Sequence, residues 1–295
     1  RHAVQPALTP AGLGYRQPGS GEVVVLERDP VAHESINEGW ALWRGLQPPK
    51  KVHELVWRCN SQGGLLLCLV SSAPAAAFQG LAGELVGKGL VGVSHARFDA
   101  RGRFRRGIMK LAGRRFLLQR YGEVEVSVSA TSFAQPNPAA AGLLFSKLQE
   151  LAGGGRHAVD LYAGGGVIAM HLARRFEEVT AIEVDIDSIK RGIQDVRRLG
   201  IGNVEFVRGD IRKLQSVPDA DLVTVDPPRA GLAKGVRQGI AASQTRRLVY
   251  ASCDAATWAR DIADFLGMGF KLELIEPYDF YPQTHHVEIL SLLTR

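Results

Sequence analysis

The apolar and polar positions follow one pattern in the first part of the chain and another after about residue 130. In the first part, short apolar stretches are separated by Gly, Pro and charge: Glu22–Leu26 (EVVVL), Leu65–Val70 (LLLCLV) and Glu123–Val128 (EVEVSV). The last alternates, as a strand with one buried face should. Ala41–Leu46 and Ala75–Leu85 suit helices. These stretches predict a smaller α+β domain over residues 1–130, built mainly of antiparallel strands.

Beyond that point the pattern predicts a helix over Pro138–Leu151, with Pro at its start and Leu143, Leu144, Leu148 and Leu151 at helical spacing. Strand and helix signals then alternate. His157–Leu161 reads as a strand, Val167–Arg175 as a helix, Val179–Glu183 as a strand and Ser188–Leu199 as a helix. Val204–Val207, Leu222–Val225 and Arg247–Tyr250 follow as strands, and Ile289–Leu293 closes the chain as a last one. Such alternation implies βαβ units around a parallel sheet covered on both faces. The fold class expected is α/β, with a Rossmann-like domain over residues 131–295.

Composition narrows the function classes. Of 295 residues, 45% are hydrophobic and 22% charged, which fits a packed globular chain rather than a disordered one. The formal net charge of +6 permits an anionic partner without requiring one. Cys59, Cys68 and Cys253 are too few and too scattered for a disulfide framework, and no C-x-x-C pair suggests a zinc or iron–sulfur site. A reducing cytoplasm is the expected compartment, and neither a metal nor an iron–sulfur cluster is expected. The most apolar run, Gly63–Phe78, is short and broken by Ser and Pro, so no membrane span is expected. The chain starts at Arg1 and shows no signal peptide, as expected of a trimmed or processed form.

Candidate chemistry gathers at the predicted strand ends. Asp160-Leu-Tyr-Ala-Gly-Gly-Gly166 lies between a strand and a helix, where glycines such as Gly164 let the backbone turn sharply and a ligand come close. Glu183 ends the next strand about 20 residues on, the place where a carboxylate accepts the ribose hydroxyls of a nucleoside. Asp210 ends the third strand and is placed to read an adenine edge. A P-loop lysine is missing from this pattern, which points to a nucleoside ligand without an obligatory polyphosphate, such as S-adenosylmethionine. Asp226-Pro-Pro-Arg-Ala-Gly231 ends the fourth strand with a rigid lip. Cys253 ends the next. Glu288 stands at the start of the last strand, and if that strand runs antiparallel to its neighbours, a thiol and a carboxylate meet at one edge.

Five segments resemble the RNA uracil-C5 methyltransferases that act on tRNA and 23S rRNA: Phe133-Ala-Gln-Pro-Asn137, Asp160–Gly164, Asp226–Gly231, Tyr250–Asp261 (YASCDAATWARD) and Phe280–Glu288 (FYPQTHHVE). A weaker likeness links Gly12–Arg16 to the opening of that family's central RNA-facing domain. The resemblance implies a class I S-adenosylmethionine-dependent enzyme, with Cys253 adding to C6 of uracil and Glu288 later removing the C5 proton. It implies that Gln135, Tyr162, Glu183 and Asp226 contact the cofactor or the base around it. Such chemistry needs these residue types. Uracil C5 is a poor nucleophile until a thiolate adds at C6, and a base must then take the C5 proton so that the thiol can leave. The target uridine must be unpaired or flipped out of its stack. Phe133 is a candidate stacking surface and Arg229 a candidate substrate contact. His285 and His286 are candidates for phosphate contact or for positioning Glu288.

The chain departs from the family in two ways. The N-terminal β-barrel and the four-cysteine iron–sulfur site of many members are not found in it, which leaves open a naturally short version or a removed front. After Cys253 stand Asp254 and Ala255, where Asn-Pro is usual. RNA contact then falls on residues 97–120, where nine Lys or Arg stand against one acid, Asp99, with Phe98, Phe104 and Phe116 interleaved. The expected partner is rRNA or tRNA, bound by a monomer. The alternatives are an amino-methylating nucleic-acid enzyme, suggested by Asp226-Pro-Pro but disfavoured by Arg229, and an idle RNA-binding homologue, which should have lost Cys253 or Glu288.

Overall fold

The computed structural model describes residues 1–46, 50–100, 104, 107–214 and 216–295. The chain divides into two compact units, one of Arg1–Gln119 with Ser127–Pro136 and one of Arg120–Val126 with Asn137–Arg295.

In the first unit, β1 (Ala3–Val4), β2 (Ala7–Thr9), β3 (Gly12–Arg16) and β4 (Val23–Val25) precede helix α1 (Glu34–Arg44). Then come β5 (Val52–Cys59), β6 (Leu65–Ser71), a 3₁₀ turn at Ala75–Phe78, α2 (Gln79–Gly87), β7 (Gly92–Arg97) and β8 (Ile108–Gly113). The sheet runs β4-β3-β2-β5-β6-β7-β8, with β1 also on β5. It is antiparallel except for the parallel pair β6–β7, which the crossover through α2 makes possible. Helix α1 begins seven residues before the predicted Ala41, because the His33 ring accepts from the Ser35 amide and caps it. A core of Trp40, Trp43, Trp57, Leu67 and Phe78 forms beneath the sheet. Gly39 lets α1 lie flat on it, since a Cβ there would meet the Trp57 ring at 2.8 Å. Cys59 and Cys68 are buried in this unit, and desolvation pushes both thiols up to about 12. The hairpin β9 (Leu117–Tyr121) and β10 (Val124–Val128) follows; its turn, Arg120–Val126, belongs to the second unit, and Ser127–Pro136 to the first.

The second unit follows the predicted alternation. Its elements are α3 (Pro138–Ala152), β11 (Gly155–Leu161), α4 (Val167–Leu172), β12 (Phe176–Glu183), α5 (Ile186–Arg198), β13 (Val204–Arg208) and β14 (Leu222–Val225). They continue with α6 (Lys234–Ala242), β15 (Arg247–Ser252), α7 (Ala255–Gly267), β16 (Lys271–Tyr278) and β17 (Glu288–Thr294). The sheet order is β13-β12-β11-β14-β15-β17-β16, parallel from β13 to β15. This is an α/β sheet of the Rossmann-like kind, and its central strands β14 and β15 are buried along almost their whole length, which is why Leu222–Val225 and Leu248–Tyr250 read as largely apolar runs. β17 runs antiparallel to β15, with Ser252 opposite Ile289. The edge strand β16 alternates exposed and half-buried residues and carries Pro277, devices that discourage edge pairing. Among the described residues, no helix is long and apolar enough to cross a membrane.

Candidate active site

Parallel strands bring their carboxyl ends to one edge, and the loops there form two neighbouring clusters. The first is built on β11, β12 and β13. Asp160, fully buried at the end of β11, accepts from the Thr224 hydroxyl at 2.8 Å and from the Ala169 amide at 3.2 Å. It thus caps α4 from across the turn, because Gly166 at the helix start has no side chain to do so. Desolvation pushes the Asp160 carboxyl up to about 7. The turn is tight: Tyr162 has φ +63°, and Gly166 has φ +80° with the Phe206 ring where a Cβ would stand, 2.5 Å away. Gly164 and Gly165 face open space, so a ligand can approach their backbone.

Glu183 accepts the Gly164 amide at 2.9 Å through one oxygen and the Val184 and Asp185 amides, each at 2.8 Å, through the other. It orders the glycine turn and keeps lone pairs toward the cleft. Asp210 is held by Arg212 in a two-point ion pair of 3.0 and 2.9 Å, which keeps its carboxyl below the usual carboxylate range. Tyr162, Glu183 and Asp210 line a cavity of about 530 Å³ together with Ile211, Ala230 and Leu232. That volume lies in the range of small-ligand sites. The mixture of acceptors, open glycine backbone and apolar walls suits a nucleoside, so these residues fit S-adenosylmethionine.

The second cluster stands on β14, β15 and β17. Cys253 follows the last residue of β15, and Glu288 is the first residue of β17, directly beyond the Ser252–Ile289 pair. The antiparallel direction on which their meeting depended is therefore present. Glu288 is 4% exposed. Burial, reinforced by the charge of Asp226 and opposed by Arg229, pushes its carboxyl up to about 7. Asp226 is likewise pushed up to about 7 by desolvation. Burial raises the Cys253 thiol, the charges of Glu288 and Asp226 raise it further, and Arg229 and the backbone oppose them. Arg229 is exposed and lies 3.4 Å from Nε2 of His286, whose ring is 4.2 Å from that of His285. Asp254 caps α7 by accepting the Thr257 amide at 2.8 Å, so the nucleophile candidate sits where a helix begins. The aspartate that departs from the usual sequence here is thus a working cap.

Phe133 and Gln135 belong to the first unit, in the segment Ser127–Pro136, where Phe133 is 88% exposed. Of the basic stretch, Arg101, Arg103, Arg105 and Arg106 lie outside the described residues. Arg97, Lys110, Arg114 and Arg115 are exposed on the first unit, Arg115 lies 5.3 Å over the Phe116 ring, and Phe98 packs on His53 at 4.5 Å. Among the described residues, no group of three or more His, Cys, Asp or Glu side chains could hold a metal ion. Asp261 was not among the predicted site residues. It is a buried carboxylate behind the Pro228–Leu232 lip, and its signal in the sequence was a charge on the inner face of an otherwise amphipathic helix.

The model of the tRNA (uracil-5-)-methyltransferase family matches residues 109–295. An uncharacterized RNA methyltransferase of Thermosynechococcus vestitus is 33% identical, over 95% of this chain and 67% of its own length. One from Synechocystis is 30% identical, over 95% of this chain and 65% of its own. The chain thus spans about two thirds of these relatives, and 40% of one from Nitratidesulfovibrio vulgaris that is 34% identical. Among solved structures, the Pyrococcus abyssi tRNA (uracil-54, C5)-methyltransferase in complex with S-adenosyl-L-homocysteine matches all of this chain and 76% of its own, with a TM-score of 0.84 and 23% identity. At that identity the likeness is one of fold.

Proposed function

We propose that this chain, which belongs to the tRNA (uracil-5-)-methyltransferase family, transfers a methyl group from S-adenosylmethionine to C5 of a uridine in RNA. The observation that carries the proposal is that Cys253 and Glu288 both stand directly beyond the Ser252–Ile289 pair of β15 and β17, with the charges of Glu288 and Asp226 acting on the thiol. Two residues distant in sequence supply a nucleophile and a base at one point of the sheet edge.

Tyr162, Glu183 and Asp210 would hold the nucleoside part of the cofactor, with Gly164 offering backbone to it. Gln135 enters from the sequence resemblance alone, as does Phe133 as a stacking surface. Bound there, S-adenosylmethionine supplies an electrophilic methyl group. The chain's own residues do the rest. The Cys253 thiolate adds to C6 and makes C5 nucleophilic. Its thiol is held back first by burial and then by Glu288 and Asp226, so Arg229 is the charge that favours the reactive form. After methylation, Glu288 takes the proton from C5 and the thiolate leaves C6. A carboxyl near 7 suits that task, because it accepts the proton at neutral pH and returns it readily.

The uridine acted on is unpaired or flipped out, in rRNA or tRNA, and the exposed cations and aromatic rings of the first unit are suited to its flanking strand. A reducing cytoplasm would keep Cys253 free for this work, and the chain would act as a monomer.

The test uses RNA transcribed with uridine deuterated at C5. Each methyl group gained should be accompanied by loss of one deuterium to solvent. Methyl transfer with the deuterium retained would place the methyl elsewhere and contradict the proposal.

A further inference from the structure

The geometry points to Asp261 as a positioning residue: it sets the Pro228–Leu232 lip that forms one wall of the cofactor cleft. This rests on the cofactor reading above. Asp261 lies on α7 and its side chain is fully buried. One carboxylate oxygen accepts from the Leu232 amide at 2.7 Å and from the Tyr250 hydroxyl at 2.8 Å. The other accepts from Arg237 Nη1 at 2.7 Å and from Arg260 Nε and Nη2 at 2.9 and 2.7 Å. Five donors from four residues therefore converge on one group, which is how the desolvation cost of a buried charge is offset.

Its partners continue into the lip. Arg237 donates to the Leu232 carbonyl and Arg260 donates to the Ala230 carbonyl at 3.0 Å. Thr257, also on α7, donates to the Arg229 carbonyl at 3.0 Å. The lip turns at Gly231, φ +70°, where a Cβ would come within 2.6 Å of Asp261 Oδ2. Pro228, Ala230, Gly231 and Leu232 then face the cavity opposite Glu183 and Asp210. Helix α7 begins two residues after Cys253, so one rigid element starts beside the nucleophile and fixes the cleft wall from Asp261, eight residues beyond that thiol. Asp261 touches neither the cleft nor the thiol. It acts by placing backbone that does.

The test compares Asp261→Asn with Tyr250→Phe, measuring S-adenosyl-L-homocysteine binding by calorimetry below each protein's melting temperature. Asparagine turns one acceptor edge into a donor facing donors. Phenylalanine removes the tie to the sheet and leaves every tie to the lip. The expectation is a Kd raised at least about tenfold by Asp261→Asn and by less than about twofold by Tyr250→Phe, with full stoichiometry in both. A merely structural defect lowers stoichiometry and leaves Kd where it was. If Asp261→Asn does not fold, Arg260→Ala removes two of the five donors to Asp261 and the tie to the Ala230 carbonyl, from a partly exposed side chain that also borders the cavity, and a Kd raised at least about threefold is then expected. A folded Asp261→Asn, or Arg260→Ala in its place, with unchanged Kd overturns this inference alone. An unsubstituted protein that does not bind S-adenosyl-L-homocysteine overturns the cofactor reading and this inference with it.

Discussion

At the ends of β12 and β13 the carboxylates of Glu183 and Asp210 meet hydrogen-bond donors, three backbone amides for one and a guanidinium for the other. At the ends of β14 and β17 the carboxyl groups of Asp226 and Glu288 are desolvated, and both are pushed up to about 7. The residue types are the same and the distance between the clusters is a few strands. Donors make a carboxylate a fixed acceptor, suited to holding a neutral hydroxyl or amine. Desolvation makes it a group that exchanges protons near neutral pH, suited to working as a base. On the proposed reading, one part of the edge holds and the other reacts.

The largest effect that would sharpen this contrast is in the reacting cluster. Cys253→Ala should lower methyl transfer by roughly 10⁴-fold while leaving S-adenosyl-L-homocysteine affinity within about twofold, measured by single-turnover assay and calorimetry. An equal loss of binding would merge the two clusters into one. The other thiols sharpen the same point: alkylation of the folded protein should reach Cys253 first, because Cys59 and Cys68 are buried and pushed up to about 12.

Glu288→Gln should slow turnover by roughly 10²- to 10⁴-fold and make a covalent adduct accumulate on ordinary uridine RNA, since addition can proceed and elimination cannot. The pH dependence has a fixed sign. The Glu288 carboxyl is raised from 4.5 to about 7 on folding, so the folded state holds the proton more tightly. Stability therefore falls as pH rises from about 4.5 to about 7, and the loss is complete above that range. Glutamine cannot ionise, so the variant should be more stable than the parent at high pH by roughly 3 kcal/mol, with the difference vanishing in acid. Turnover of the parent should rise as pH passes through about 7, where the folded-state base ionises. Denaturant melts and rate profiles across it check both directions.

A smaller effect belongs to the holding cluster. Gly166→Ala places a Cβ 2.5 Å from the Phe206 ring at φ +80°. It should cost roughly 2–3 kcal/mol and raise the KM for S-adenosylmethionine. Thiol addition, followed as cofactor-independent exchange of the uridine C5 hydrogen, should change much less. Equal damage to both readouts would break the distinction between the clusters.

The sequence displayed the second unit well, because strands buried on both faces must be apolar throughout and the polar residues that remain mark their ends. Asp160, Glu183, Asp210, Asp226 and Cys253 were visible for that reason, and the antiparallel β17 then brought Glu288 to them. The first unit was harder. β5 carries a buried arginine, Arg58, whose guanidinium donates to the Ser132 carbonyl at 2.8 Å, and that charge hid a strand that lies in the middle of the sheet. The parallel pair β6–β7 needed the α2 crossover to be seen as such, and local pattern does not state strand direction. Asp261 was missed as a site residue because its partners come from Leu232, Arg237, Tyr250 and Arg260, and only the fold brings them to one carboxylate.

The most direct test of covalent chemistry at the reacting cluster is to incubate the protein with S-adenosylmethionine and RNA carrying 5-fluorouridine, then to look for a protein–RNA species that survives denaturation. Fluorine at C5 cannot leave as a proton, so elimination is blocked after methylation. The account predicts an adduct that forms with the unsubstituted protein, maps to Cys253 by peptide sequencing and is lost in Cys253→Ala. An adduct that persists in Cys253→Ala, or methyl transfer to RNA with no adduct at all, would contradict it.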